Sequence, residues 1–180
     1  MKRFIHTGII LLLFAGLSMA ASAQEKANTI PPQVQKFKRF VGTWTATVTM
    51  KDDQQKTHTF TQKFVFSSIA GGNGLYAEES ADSPEFGKMT GSDLLGYDPY
   101  EKQIHCYTVD NMGTTHDHIC TWKSDDNFYM EHNSIRNGKK YTEKINLVFK
   151  GNDTIDATMT SFLDGKVSES STATYTRNKD

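Results

Sequence analysis

From Thr43 onward the chain alternates between apolar and polar residues with a period of two, and this limits its fold more than any other feature. Trp44, Ala46, Val48 and Met50 alternate with Thr43, Thr45, Thr47 and Thr49. Successive strand side chains point to opposite faces, so this segment is a strand with one face in a core and the other in water. Phe60, Phe64 and Phe66 repeat the pattern in a second strand. After the turn at Gly71–Gly74, residues 75–80 read as a third strand, 82–87 as a loop, and 89–97 as a fourth strand stopped by Asp98-Pro99. Helical spacing occurs only in residues 33–41, where Val34, Phe37 and Val41 share a face.

The later turns are legible enough to pair strands. Residues 104–110 and 116–122 flank a loop at 111–115, which predicts Cys106 opposite Cys120, Thr108 opposite His118 and Ile104 opposite Trp122. A turn at 123–127 then sets Trp122 opposite Phe128, Cys120 opposite Met130 and His118 opposite His132. Asn137-Gly138 signals a two-residue type I′ hairpin. It sets Ser134 opposite Tyr141, His132 opposite Glu143 and Met130 opposite Ile145. The turn at Gly151-Asn152-Asp153 sets Glu143 opposite Ser161 and Ile145 opposite Met159. The last hairpin turns at Asp164-Gly165. A strict two-residue loop there would turn Tyr175 to the outer face, so the last register stays open. About ten short antiparallel strands after one short helix make a closed barrel or a sandwich.

These registers stack the inner face in layers. Ile104, Trp122, Phe128, Leu147 and Ala157 form an apolar layer, followed by Cys106, Cys120, Met130, Ile145 and Met159. Thr108, His118, His132, Glu143 and Ser161 come next, then Asp110, His116, Ser134 and Tyr141. A closed apolar floor and a polar mouth produce this gradient, as in small barrels that hold one ligand. The wetter ends of any filled barrel produce it too.

His118, His132 and Glu143 are the sharpest polar group. Directly opposed strand residues have Cβ atoms about 5 Å apart. Two imidazoles and a carboxylate at that spacing suit Zn²⁺ or non-haem iron. They equally suit hydrogen bonds to an organic ligand, or a self-satisfied polar cluster. Cys106 and Cys120, opposed in the same register, are within disulfide reach. The alternatives for them are buried free thiols or, without a Cys-x-x-Cys, soft metal or redox work. Glu78, Glu79 and Asp93 are a weaker candidate carboxylate pair of the glycosidase kind, set against a solvated surface. No nucleophile elbow or phosphate loop is present, so the residues name no reaction.

Residues 1–23 carry Lys2 and Arg3, an apolar run from Ile9 to Leu17, and Ala21-Ser22-Ala23. This is the pattern of a cleaved export signal, the alternative being an uncleaved anchor. Cleavage predicts a periplasmic or secreted product with a flexible leader over 24–32, a single domain over 33–177, and no remaining membrane span. From residue 24 the chain has 18 Lys and Arg (20 less Lys2 and Arg3) against 21 Asp and Glu, with no basic stripe. That balance argues against a nucleic-acid partner.

Three segments carry a family resemblance: Phe40-Val41-Gly42-Thr43-Trp44, Leu95-Gly96-Tyr97-Asp98 and residues 108–114, extended by Asp164-Gly165-Lys166 and Tyr175-Thr176-Arg177. Together they resemble the bacterial family called domain of unknown function 1579, over roughly residues 35–177. The resemblance implies an all-β fold, a closed antiparallel lipocalin-like (calycin-type) barrel of about ten strands with one short N-terminal helix. It implies no established activity and no catalytic residue. The related nitrobindin-like haem proteins also open with Gly-x-Trp and ligate haem through a His near their C-terminal strands, but this chain has no His after His132.

The sequence therefore predicts an exported barrel that binds a small, partly apolar molecule, with no cofactor specified. Trp44, Thr108, Trp122, Phe128 and Met130 are the expected contacts. His118, His132, Tyr141 and Glu143 are expected to orient the ligand's polar end. The alternative is a metal-binding protein or metal-dependent enzyme using His118, His132 and Glu143.

Overall fold

A computed structural model describes residues 30–179. The expected export signal and most of the expected leader lie outside them. A single helical turn α1 (Pro32–Gln35) runs into a 3₁₀ turn at Lys36–Arg39. Ten strands follow: β1 (Gly42–Lys51), β2 (Thr57–Ile69), β3 (Gly74–Ser83), β4 (Gly87–Asp98), β5 (Gln103–Asp110), β6 (Thr115–Trp122), β7 (Asn127–Arg136), β8 (Lys139–Phe149), β9 (Thr154–Leu163) and β10 (Lys166–Arg177). Each strand pairs antiparallel with its chain neighbours, and β1 pairs with β10 to close the barrel. Closure leaves no free sheet edge. The segment expected as a loop at 82–87 is shorter, because β3 and β4 pair as far as Ser83–Gly87.

One end of the barrel is plugged with aromatic rings. Phe40, after the 3₁₀ turn, meets Phe66, Trp122, Phe128 and Phe149 at centroid distances of 5.0–6.0 Å. Lys36 and Arg39 tie the helical segment to Asp125 and Asp126 in the β6–β7 turn. The Gly-x-Trp motif belongs to this plug. Trp44 Nε1 donates to the Phe40 carbonyl at 2.6 Å, and the Arg177 guanidinium lies 4.2 Å from the Trp44 ring centroid. Arg177 also donates to the carbonyls of Arg39, Val41 and Asn152. Gly42 has φ +122°, and a Cβ there would come within 2.9 Å of Arg177 Nη1, so the motif needs glycine on both counts. At the opposite end, His58 on β2 bonds Asp52 of the β1–β2 turn at 2.9 Å and also Glu85 of the β3–β4 turn.

Most of the expected registers are found. Trp122 faces Phe128, Cys120 faces Met130, and His132 faces Glu143. Glu143 faces Ser161, and Ile145 faces Met159. Asn137 and Gly138 have φ of 51° and 78°, as a type I′ turn requires. In the last hairpin a bulge between Val167 and Glu169 shifts the register by one. That shift turns Tyr175 inward, where it is buried opposite Ile155.

The β5–β6 hairpin is a correction. Cys106 faces His118, Ile104 faces Cys120, and Thr108 faces His116, a shift of two residues from the expected pairing. The cause is Asp110. Its Oδ1 accepts from the backbone N–H of Met112 and of Thr114, each at 2.9 Å, and its Oδ2 accepts from the Thr114 hydroxyl at 2.6 Å. These bonds tighten the turn so that Val109 already faces Thr115. A two-residue shift preserves the inner face but moves every partner along the barrel. The directly opposed cysteine pair is therefore not formed. Both cysteines are buried free thiols, and burial raises the pKa of each well above the usual thiol value.

Candidate ligand cavity

Alternation along the strands aims one set of side chains inward, and these do not fill the barrel. They enclose a cavity of about 350 Å³, a size typical of sites for small ligands. Its apolar wall includes Trp44, Phe64, Phe128, Met130, Leu147 and Ile155. Its polar wall includes Gln62, Glu79, Asp93, Thr108, His116, His118 and Glu143. Of the residues expected from sequence, Trp44, Thr108, His118, Phe128, Met130 and Glu143 line it; Trp122, His132 and Tyr141 do not. Trp122 instead packs into the aromatic plug, 4.8 Å from Phe128 between ring centroids.

Glu143 organises one polar cluster. Its Oε1 accepts from His118 Nε2 at 2.8 Å and His116 Nδ1 at 3.2 Å. Its Oε2 accepts from the Tyr141 hydroxyl at 3.0 Å and the Ser161 hydroxyl at 3.4 Å. Burial works to raise the Glu143 pKa, but the bonds from His116 and His118 outweigh it and hold the carboxyl well below the usual range. Burial, and then the charge of Glu143, push the Tyr141 phenol up to about 12.

His116 takes the place expected for His132. His132 faces Glu143 in the ladder, yet its Nδ1 donates to the Asp117 carbonyl at 2.9 Å, which turns the ring out of the cluster. His116 stacks on it with ring centroids 4.6 Å apart. The three potential metal ligands that come together are accordingly His116, His118 and Glu143, with donor atoms within 4.8 Å of one another. Arg136 donates to His116 Nε2 at 2.6 Å. A guanidinium only donates, so this Nε2 is the acceptor of the ring and Nδ1 carries the proton given to Glu143. A metal ion at Nδ1 would have to displace that proton and face the nearby guanidinium charge.

A second polar group draws on β10, β2, β3, β4 and β5. The Tyr175 hydroxyl donates to Gln62 Oε1, and Gln62 Nε2 donates to Glu79 Oε1. The Thr108 hydroxyl donates to Asp93 Oδ1 at 2.6 Å. Burial, then the charge of Asp93, raise the Glu79 pKa to about 7. Burial also raises the Asp93 pKa, partly offset by the bond from Thr108. Sequence reading placed Glu79 and Asp93 only in a loose carboxylate group with Glu78, which in the barrel lies exposed on the outer face. The available signal was the alternation itself, since Glu79 shares a face with Leu75, Ala77 and Ala81.

Fold and cavity together define a lipocalin-like antiparallel barrel. The model for the family described as "Protein of unknown function (DUF1579)" matches residues 32–177, and the chain belongs to that family. Comparison with curated proteins finds no match. Among solved structures, Rv2717c from M. tuberculosis superposes with a TM-score of 0.63 at 13% identity, over 84% of this chain and 100% of that one. The S-type phycobiliprotein lyase CPES from Guillardia theta superposes with a TM-score of 0.57 at 15% identity, over 80% and 91%. At these identities the likeness is one of fold.

Proposed function

We propose that this chain is an exported binding protein that holds a small, partly apolar molecule inside the barrel. The observation that carries the reading is the cavity of about 350 Å³, apolar on one side and bearing a hydrogen-bonding wall on the other. The ligand's apolar part lies against Trp44, Phe128 and Met130, and its polar end meets His118, Glu143 and Thr108. Glu143 serves to hold this wall, since it is engaged in internal hydrogen bonds rather than left poised for proton transfer. A phycobiliprotein lyase has a similar barrel, which speaks to the shape alone.

Native mass spectrometry of the protein isolated from its own source tests the reading, with a retained small molecule as the expected result. Titration with the uncharged dye N-phenyl-1-naphthylamine is a second test. One dye should bind inside the barrel and change Trp44 fluorescence, and Ala157→Phe, which fills the cavity, should abolish the signal. A protein with no retained molecule and no dye binding sinks the proposal. N-terminal sequencing of the mature protein tests export, with Gln24 expected as the first residue.

A metal-dependent reading rests on the proximity of His116, His118 and Glu143. Titration with Zn²⁺, followed by native mass, separates the two. Stoichiometric zinc that is lost in His116→Ala supports the metal. Zinc binding that emerges only once Arg136→Ala removes the guanidinium supports the ligand-binding reading.

A further inference from the structure

Four carboxyl groups line the cavity, those of Glu79, Asp93, Asp110 and Glu143, and among the described residues no lysine or arginine lines it. Two of the four are accounted for. Glu143 is answered by two imidazoles and two hydroxyls, and Asp110 by its own turn. Glu79 and Asp93 are different. Their hydrogen-bond donors are neutral, an amide from Gln62 and a hydroxyl from Thr108. Buried carboxylates are ordinarily paired with a cation, because desolvation costs more than neutral donors return.

Two further observations bear on this wall. Gly91 faces Glu79 on one side and Asp110 on the other, and the Glu79 side chain lies over it. A Cβ at Gly91 would lie 3.4 Å from Glu79 Oε2. The second observation is His118, which is 2% exposed and lines the same cavity. Its Nε2 donates to Glu143, which leaves Nδ1 as an acceptor, and Nδ1 is buried without a hydrogen-bond partner. The unanswered polar groups of this wall are thus all acceptors, and their missing counterpart is a cation rich in N–H.

We propose that the cavity binds a small organic ammonium, a primary or secondary amine whose charged head lies between Glu79 and Asp93 and donates to His118 Nδ1. The apolar part of the molecule lies toward Trp44 and Phe128. The inference rests on the reading of the barrel as a small-molecule binder and narrows its ligand class. A carboxylate is repelled by the two carboxyls. A neutral alcohol offers one donor and no charge.

Binding also has a pH signature. Glu79 faces Asp93, Asp110, Glu143, His116, His118 and the Tyr175 phenol around the cavity. With a pKa of about 7, Glu79 keeps its proton in the empty barrel at pH 6 and releases it when a cation arrives. Affinity for an amine should therefore rise about tenfold from pH 6 to pH 8, while an alkylammonium stays protonated throughout.

Calorimetric titration with octylamine, octanol and octanoate at pH 8 tests this. Octylamine should bind about thirtyfold more tightly than octanol, on the scale of one charge-assisted hydrogen bond. Octanoate should bind most weakly. Glu79→Gln and Asp93→Asn should each pull the octylamine-to-octanol ratio towards one. If either variant fails to fold, the three-probe order and the pH dependence of the native protein still decide. Octanol or octanoate binding as tightly as octylamine overturns the ammonium head while leaving a ligand-binding barrel. Failure of all three probes, together with failure of the uncharged dye, overturns the barrel's binding role and this inference with it.

Discussion

His118 hydrogen-bonds Glu143 at 2.8 Å although β7 lies between the strands that carry them. The residue on the intervening strand, His132, faces Glu143 in register but bonds elsewhere. The inward curvature of a closed barrel lets side chains two strands apart converge where those of a flat sheet would not.

Glu143→Gln should therefore cost about 2–3 kcal/mol of stability at pH 7, the scale of charge-assisted bonds lost in a buried site. The folded carboxyl is held below its unfolded value, so its contribution is present above roughly pH 4–5 and is lost as pH falls. Urea unfolding at pH 7 and pH 3.5 checks this: the gap between native and variant should narrow at the lower pH. An unchanged gap would show that the carboxylate charge is not what stabilises the cluster.

Glu79 has the opposite sign. Its folded pKa is raised to about 7, so the folded state holds a proton that the unfolded state has released above roughly pH 4. Stability from this group falls as pH rises from about 4 to 7. Glu79→Gln should raise stability at pH 8 by roughly 1–2 kcal/mol, because it removes a poorly compensated buried charge. Thermal unfolding at pH 8 and pH 4.5 should show the gain only at the higher pH.

The plug should be sensitive to Gly42 and Arg177. Gly42→Ala forces a side chain onto φ +122° and against the guanidinium, at a cost of about 1–3 kcal/mol. Arg177→Ala strips donors from the carbonyls of Arg39, Val41 and Asn152 and uncovers Trp44. A loss of about 2–4 kcal/mol is expected. Urea midpoints measure both, and a change under ~0.5 kcal/mol would mean that the motif does not hold this end shut.

The thiols of Cys106 and Cys120 should resist Ellman's reagent in the folded protein, because burial excludes the reagent and disfavours the thiolate. Two thiols per chain should react promptly after unfolding in guanidinium without reductant. Fewer than two would indicate a disulfide.

The order of elements was legible because hydrophobic periodicity is local. The Thr43–Met50 alternation, the Asn137-Gly138 turn and the pairing from Phe128 to Met159 need only near neighbours. Two registers were not legible, for one shared reason. Asp110 tightens its turn with side-chain bonds, and the bulge after Val167 inserts one unpaired residue. Neither device leaves a mark on period-two patterning. The first moved Cys106 from Cys120 to His118, and the second brought Tyr175 inside to reach Gln62.

The sequence by itself determined an antiparallel chain of hairpins with an apolar-to-polar inner face, because alternation and turn chemistry act between near neighbours. Only the tertiary structure decided which polar groups meet. Closing β1 onto β10 brings residues far apart in sequence onto one cavity wall. Side-chain bonds, rather than backbone register, then place His116 instead of His132 at Glu143 and give Glu79 and Asp93 neutral hydrogen-bond donors.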